Sequence, residues 1–273
     1  MRFRYNVIML LSATFFLAAC KKETKVPAYN EEPVISAYLF AGNCVSIKIT
    51  AQIAVSTETS SAGEGIDTLH VYVDDDSGSH LLMNMGDGVY ADTTLMIGEG
   101  KQYSLHFVYK EKMISGTTLV PSAPQNFTQS VDELSVSKIE EGTMPTPGSF
   151  QMNDPISLNW SNDDQSYYMI IVENMESSPE LIRDTTSTRF RITSFRNEPA
   201  VTDQYQLRDQ QFQYFGTHRL VLYHLNPDYA ALYSGNSNSS QSLSNPTTNI
   251  TNGVGIFTGI STDTLFLKVN KQQ

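Results

Sequence analysis

Basic residues are scarce in this sequence, which has 18 Lys and Arg against 29 Asp and Glu in 273 residues and a formal net charge of −11. A surface of this sign repels phosphate backbones, and no basic stripe occurs along the chain, so we expect no nucleic-acid partner. Long hydrophobic runs are also lacking, because after residue 20 no stretch approaches 18 consecutive apolar residues. The sequence therefore predicts no transmembrane helix beyond the N-terminal segment.

Metal-ligand motifs are missing. The five histidines include no His-Glu-x-x-His pattern, and no Cys-x-x-Cys pair occurs. His218 and His224 would share a strand face, but at ~3.3 Å per residue they lie about 20 Å apart and cannot bind one ion. Asp74, Asp75 and Asp76 could gather oxygen ligands for calcium, yet the far glutamate of the twelve-residue calcium loop is absent. We predict no metal site and interpret these aspartates as a solvated acidic hairpin.

Catalytic motifs are absent as well. The chain contains no Gly-x-Ser-x-Gly and no Ser-x-x-Lys accompanied by its companion motifs. The paired carboxylates Asp163 and Asp164 fall in a polar turn, where water screens them and general acid/base chemistry is not favoured. The sequence therefore predicts no catalytic residue, no cofactor and a protein that is not an enzyme.

The N-terminus combines a charged start, at Arg2 and Arg4, with an apolar core and small residues before Cys20. These are the parts of a secretory signal peptide covering residues 1–19. Leu17-Ala18-Ala19-Cys20 resembles a bacterial lipobox, which implies cleavage before Cys20 and acylation of its thiol by fatty acids such as palmitate. The alternative is an ordinary signal peptide followed by a chance cysteine.

The chain has two cysteines, so acylation of Cys20 would leave Cys44 as the remaining thiol, and no internal disulfide is expected. Cys44 adjoins the alternating residues Val45, Ile47 and Ile49, and we interpret it as a small core residue rather than a reactive thiol. Residues 20–32 are polar and charged. They are interpreted as a lipidated tether that holds the folded part off the membrane.

From residue 33 to residue 121, short runs rich in β-branched and aromatic residues alternate with turn residues at the spacing of a β-sandwich. Tyr103, Leu105 and Phe107 alternate as the buried face of a strand does. The run Leu81-Leu82-Met83 is a further short strand, and no helical period of useful length occurs. Residues 33–121 are therefore predicted to form the first of two tandem all-β sandwich domains.

Residues 122–273 are predicted to form the second sandwich domain, with the boundary near Ser122 because prolines punctuate the chain there. Trp160 ends an alternating strand, and Tyr168 opens the next strand after a short turn. Later in this domain, 234–249 is rich in Ser, Asn and Gln and is interpreted as a long polar loop.

A short helix is predicted just before that loop. Asn226 is its expected N-cap, and Pro227 takes the first helical position, where its missing N–H carries no cost. Tyr229 and Tyr233 are four residues apart, so they would share one face of the helix.

The prolines at the start of the second unit, together with Trp160 and Tyr168, resemble a fibronectin type III sandwich, in which these aromatic rings fill the core between the sheets. Gly88-Val89-Tyr90 and Gly100-Lys101-Gln102-Tyr103 give the first unit a weaker likeness to an immunoglobulin-like or carboxypeptidase-regulatory-like sandwich. Taken whole, the chain is similar to a family of Bacteroidota outer-membrane lipoproteins of uncharacterised function, most specifically over 249–257. This resemblance implies an outer-membrane lipoprotein encoded near TonB-dependent receptors, with no established catalytic residues.

A glycine-rich segment near the C-terminus holds the candidate binding residues Asn252, Gly253, Gly255 and Phe257. It lacks the lysine and the following helix of a phosphate cradle. We interpret its glycines as letting the backbone cross the sandwich edge at positive φ, with Ile256 and Phe257 pinning the crossing to the core. A binding surface built from this segment and the polar loop is the second interpretation.

These observations together lead to the expectation of a non-enzymatic lipoprotein, anchored in the outer membrane on its periplasmic or cell-surface face. A TonB-dependent receptor or another envelope protein is the expected partner. A surface adhesin or glycan-binding lipoprotein is the first alternative, suggested by 14 Tyr, a single Trp and the polar loop. A hydrolase is the second alternative, which a clustered Asp/Glu/His cleft would support.

Overall fold

A computed structural model describes residues 32–52, 63–139, 154–183, 193–234 and 247–272. The predicted signal peptide, Cys20 and nearly all of the tether lie outside these residues, as does most of the polar loop. The strands are β1 (Pro33–Phe40), β2 (Cys44–Ala51), β3 (Tyr72–Asp75), β4 (Gly78–Leu81), β5 (Met83–Gly86), β6 (Val89–Met96), β7 (Gln102–Tyr109), β8 (Lys112–Leu119), β9 (Gln125–Gln129), β10 (Glu133–Val136), β11 (Ile156–Ser161), β12 (Tyr167–Asn174), β13 (Ser194–Arg196), β14 (Gln204–Leu207), β15 (Gly216–Leu225), β16 (Ile250–Thr251) and β17 (Val254–Lys271). The one α-helix in the described ranges is α1 (Pro227–Ser234), and a 3-10 turn spans Asp209–Gln211. The predicted all-β sandwich class is confirmed.

The first sandwich packs a sheet containing β1, β2, β6 and β5 against a second sheet ordered β16-β8-β7-β3-β4. The predicted alternation is confirmed, because Val45, Ile47 and Ile49 are buried together with Tyr103 in the core of this sandwich, which we call the first core. The same alternation places Cys44 on the outer face, where it is exposed. The interpretation of Cys44 as a core residue was therefore wrong: its Sγ donates to the Thr93 carbonyl at 3.1 Å.

The second sandwich packs the three strands β14-β11-β9 against the β13-β12-β15-β17 part of the large sheet. Trp160 and Tyr168 fill the core between these sheets, as predicted, with ring centroids 5.6 Å apart. The indole Nε1 donates to the Thr202 carbonyl at 2.9 Å, so the buried ring leaves no unpaired donor. Burial raises the pKa of the Tyr168 hydroxyl to about 12.

Strand β17 belongs to both sandwiches. Its first half pairs in parallel with β1, from Val254 opposite Val34 to Ile260 opposite Phe40. Its second half pairs antiparallel with β15, as far as Val269. The sequence assigned 122–273 to a separate domain, but Ile250 and Phe257 lie in the first core and complete it. The sequence did not predict this sharing of β17 because it depends on pairing between distant segments, which local patterns do not encode.

Helix α1 follows β15 of the second sandwich and precedes β16 of the first. Asn226, just before the helix, links the two sandwiches by hydrogen bonds. The Asn226 carbonyl accepts the first helical N–H bonds, as a residue at this position does. Its side-chain amide nitrogen donates to the carbonyls of Leu119 at 2.8 Å and Gly259 at 3.2 Å. The predicted shared face is confirmed, since the rings of Tyr229 and Tyr233 lie 5.8 Å apart.

Candidate binding surfaces

The four candidate residues near the C-terminus form the crossing into β17. Gly255 has a φ of +110°, and a Cβ added there would overlap the Ile35 carbonyl oxygen of the paired strand. Asn252 also has a positive φ, +59°, and its side-chain amide donates to the Met113 carbonyl at 2.8 Å. Both residues therefore serve the backbone geometry of the strand and its neighbours.

The other two candidate residues are buried. Phe257 is 0% exposed and belongs to the first core, so its ring faces no solvent. Gly253 lies where a Cβ would come within 3.2 Å of the Pro33 carbonyl oxygen. The structure thus brings Asn252, Gly253 and Gly255 together at one sandwich edge, while Phe257 points into the core. Positive φ at the crossing agrees with the first interpretation of this segment.

Asn249 organises this region, although no sequence pattern marks it as a functional residue. Its side-chain amide donates to Asp228 Oδ2 of α1 at 2.7 Å and to the Phe257 carbonyl at 2.8 Å, while its Oδ1 accepts from the Phe257 N–H at 3.0 Å. Asn249 directly follows Pro246-Thr247-Thr248, and its role depends on contacts with distant residues that this local sequence does not display. A small pocket of about 250 Å³ lies beside it, between α1 and Ile256.

A larger pocket, of about 330 Å³, opens at the end of the second sandwich. Its lining is formed by Val172, Thr193, Ser194, Phe195, Arg196, Gln210, Gln211, Gln213, Tyr214 and His218. The lining contains no carboxylate, and the Arg196 guanidinium lies over the Tyr233 ring, 5.9 Å from its centroid. We call this the glutamine pocket. Its volume lies at the lower end of the range for small-ligand sites.

His218 forms part of the base of the glutamine pocket and is fully hydrogen-bonded. Its Nδ1 donates to the Gly216 carbonyl at 3.1 Å, so its Nε2 accepts from the Asn174 side-chain amide at 3.2 Å. Burial lowers the pKa of His218, which favours the neutral ring. His224 is engaged elsewhere, with Nδ1 at 2.8 Å from the Ser122 carbonyl, so each of these histidines has its own protein partner.

The outer strands β4 and β5 carry an exposed apolar stripe. They are consecutive in the chain, and each forms the edge of one sheet of the first sandwich. Leu82, between them, is buried, whereas Leu81, Met83 and Met85 are 51%, 70% and 62% exposed. We call these three residues the apolar edge. Exposed apolar residues on an edge strand are typical of surfaces that bind another chain.

The prediction of a solvated acidic hairpin holds for Asp76, which is exposed, but not for Asp75, whose side chain is 8% exposed and hydrogen-bonded within the hairpin. Asp75 Oδ1 accepts from the Ser77 hydroxyl at 2.6 Å and lies 3.2 Å from His80 Nε2. These bonds, led by that of the Ser77 hydroxyl, lower the pKa of Asp75 to about 2. Asp74 is paired with His106 at 3.0 Å. Among the described residues, no group of three or more His, Cys, Asp or Glu is placed to hold a metal ion.

The described helical segments include none with the length and apolar character needed to cross a membrane. A family model described as a domain of unknown function, DUF4249, matches residues 22–265. No curated protein matches the chain. Among solved structures, a two-domain fibronectin type III segment of chicken tenascin is similar, with a TM-score of 0.25 and 10% identity over 87% of this chain and 99% of that chain. A structure of titin domains has a TM-score of 0.20 and 13% identity over 88% of this chain and 67% of that chain.

Proposed function

Since the chain belongs to the DUF4249 family, a family of unknown function, we propose a function for it from its own surfaces and sequence. The protein is a non-enzymatic binding component of the bacterial outer membrane, held there by lipid on Cys20. Its sandwiches present a surface for another envelope protein, for which a TonB-dependent receptor is our candidate. The lipobox-like sequence before Cys20 supports the anchor, and the family resemblance described above supports the partner.

The apolar edge is the observation that carries the binding proposal. A chain with a net charge of −11 and a soluble sandwich fold gains nothing from exposing Leu81, Met83 and Met85 unless they are covered in a complex. Methionine side chains are flexible and polarizable, so they adapt to a partner surface. Strand β5 pairs with β6 on one side, and in the described sheet its other side is an edge. A partner can therefore add a strand there while it covers the methionines.

We expect the double substitution Met83→Lys and Met85→Lys to lower recovery of the partner receptor from solubilised outer membrane by tenfold or more. Two charges placed in an apolar contact would each cost roughly 2 kcal/mol at the centre of an interface. The measurement is a quantitative pull-down of the native lipoprotein. Met175→Lys, at an exposed methionine of the second sandwich, is the matched control and should leave recovery unchanged. Equal recovery with the double variant and the control would contradict the proposal.

The anchor is tested separately by growth with labelled palmitate. The native chain should take up label, and Cys20→Ser should abolish labelling and release the protein from the membrane fraction. An unlabelled native chain would refute lipid anchoring while leaving the apolar edge to be tested on the soluble protein.

Glycan binding is a second candidate function, favoured by the glutamine pocket. Side chains that both donate and accept hydrogen bonds, set beside the aromatic ring of Phe195, suit a neutral polyol. Saturation-transfer NMR with maltose, cellobiose and lactose would detect it, and Ser194→Trp should abolish the signal by filling the pocket. Ser46→Trp on the first sandwich is the control. A signal that survives Ser194→Trp would place binding elsewhere.

A further inference from the structure

The β7–β8 hairpin tip lies at the end of the first sandwich where the chain enters from the tether. Strand β1 begins at Pro33, and a Cβ on Gly253 would lie 3.2 Å from the Pro33 carbonyl oxygen. The neighbouring Asn252 donates to the Met113 carbonyl at 2.8 Å, and Met113 lies in β8 just past the hairpin turn. A short series of contacts therefore leads from β1, the first described strand, to the hairpin tip.

We define the hairpin tip as residues 108–113. Val108 and Met113 are direct cross-strand neighbours, and their side chains are 55% and 52% exposed. Tyr109 is opposite Lys112, and the ammonium of Lys110 lies 5.4 Å from the centroid of the Tyr109 ring. The two turn residues, Lys110 and Glu111, have φ values of 46° and 66°. Paired left-handed residues form the tight turn that matches strand twist, so the tip has a defined shape.

This combination of residues suits a lipid headgroup region. Apolar side chains enter the acyl boundary, a tyrosine ring sits at the level of the headgroups, and lysines extend along apolar surface to reach lipid phosphates. Tyr109 itself packs against the first core, so it holds the tip in place while Val108 and Met113 face outward. Burying the exposed half of each of these two side chains favours insertion.

We propose that the hairpin tip inserts into the headgroup region of the membrane that holds the lipid anchor, so that the protein contacts this membrane directly. This inference rests on the proposed anchoring through Cys20. The contact is weak by itself, and the anchor makes it effective because a tether of residues 21–32 keeps the Pro33 end at high local concentration near the bilayer. The contact would orient the apolar edge and the glutamine pocket relative to the membrane plane.

The test uses the full lipidated chain in vesicles of phosphatidylethanolamine and phosphatidylglycerol with brominated acyl chains. We compare tryptophan emission of Val108→Trp with that of Phe266→Trp, a control at an exposed residue of the second sandwich. Both variants share the buried Trp160 as the same background. At an insertion depth of about 5 to 10 Å, we expect the tryptophan at position 108 to be quenched at least about twofold more than that at position 266.

The outcomes separate the two proposals. A chain that does not float with vesicles refutes the anchor. A chain that floats but shows equal quenching at both positions overturns the hairpin contact and leaves the anchor standing. Met113→Trp repeats the measurement from the facing strand and serves where Val108→Trp disturbs folding. If position 108 is also quenched preferentially in vesicles without phosphatidylglycerol, apolar insertion makes the contact. If this preference is lost in those vesicles, the lysines make the contact. Either result supports the proposed contact.

Discussion

Gly255→Ala is expected to lower the free energy of unfolding by about 3 kcal/mol or more, because it combines backbone strain with a steric clash. The residue has a φ of +110°, where an L side chain is strained, and its new Cβ would overlap the carbonyl oxygen of Ile35. To relieve the overlap, β17 must move away from β1, and the parallel pairing from Val254 onward is lost. Urea unfolding followed by circular dichroism measures the effect.

Gly42→Ala is the matched control for this prediction. Gly42 also has a positive φ, +80°, but a Cβ there would meet nothing within 4 Å. Gly42→Ala should therefore lower the free energy of unfolding through backbone strain alone, by about 1 to 2 kcal/mol. If the two variants lose the same stability, the clash with the Ile35 carbonyl oxygen contributes nothing. The interpretation of Gly255 as the residue that lets the backbone cross the sandwich edge would then be wrong.

A fragment of residues 32–121 is expected not to fold, although the sequence predicted an independent domain of this extent. The fragment lacks Ile250 and Phe257, which lie in the first core, and it leaves β1 without its partner β17. Removing a buried Phe ring alone costs about 3 to 5 kcal/mol of stability, whereas the whole free energy of unfolding of a domain is about 5 to 15 kcal/mol. We expect no cooperative thermal transition and no near-ultraviolet dichroism.

The control for the fragment is the same chain with residues 247–262 joined to its end through a flexible Gly/Ser linker. This addition restores β16 and the first half of β17, so cooperative unfolding should return. A cooperative transition in the unextended fragment would show that the first sandwich does not depend on the C-terminal strand.

The parts of the fold that the sequence predicted are those set by local pattern. Alternation identified the buried faces at Val45 and Tyr103, and the aromatic pair Trp160 and Tyr168 identified the second core. Proline and asparagine signalled helix α1 at Pro227. These features depend on side-chain period and backbone chemistry within a few residues, which a single sequence displays.

The parts that it missed depend on contacts between distant segments. Nothing near Phe257 indicates that it fills a core formed by residues at the other end of the chain. The run Leu81-Leu82-Met83 was predicted as one short strand. In the structure the chain passes from one sheet to the other at Leu82 and leaves Leu81 and Met83 exposed, which the alternation of apolar residues does not predict. Asn249 was missed because its role depends on Asp228 and Phe257 approaching it in space.

The sharing of β17 between the sandwiches has a consequence for biogenesis. Because β1, the first of the described strands, pairs with β17, the last of them, the N-terminal sandwich cannot close until synthesis is nearly finished. The first core therefore stays incomplete while most of the chain is being made. If the chain is exported as we propose, this topology keeps the first sandwich open for passage through a secretion channel.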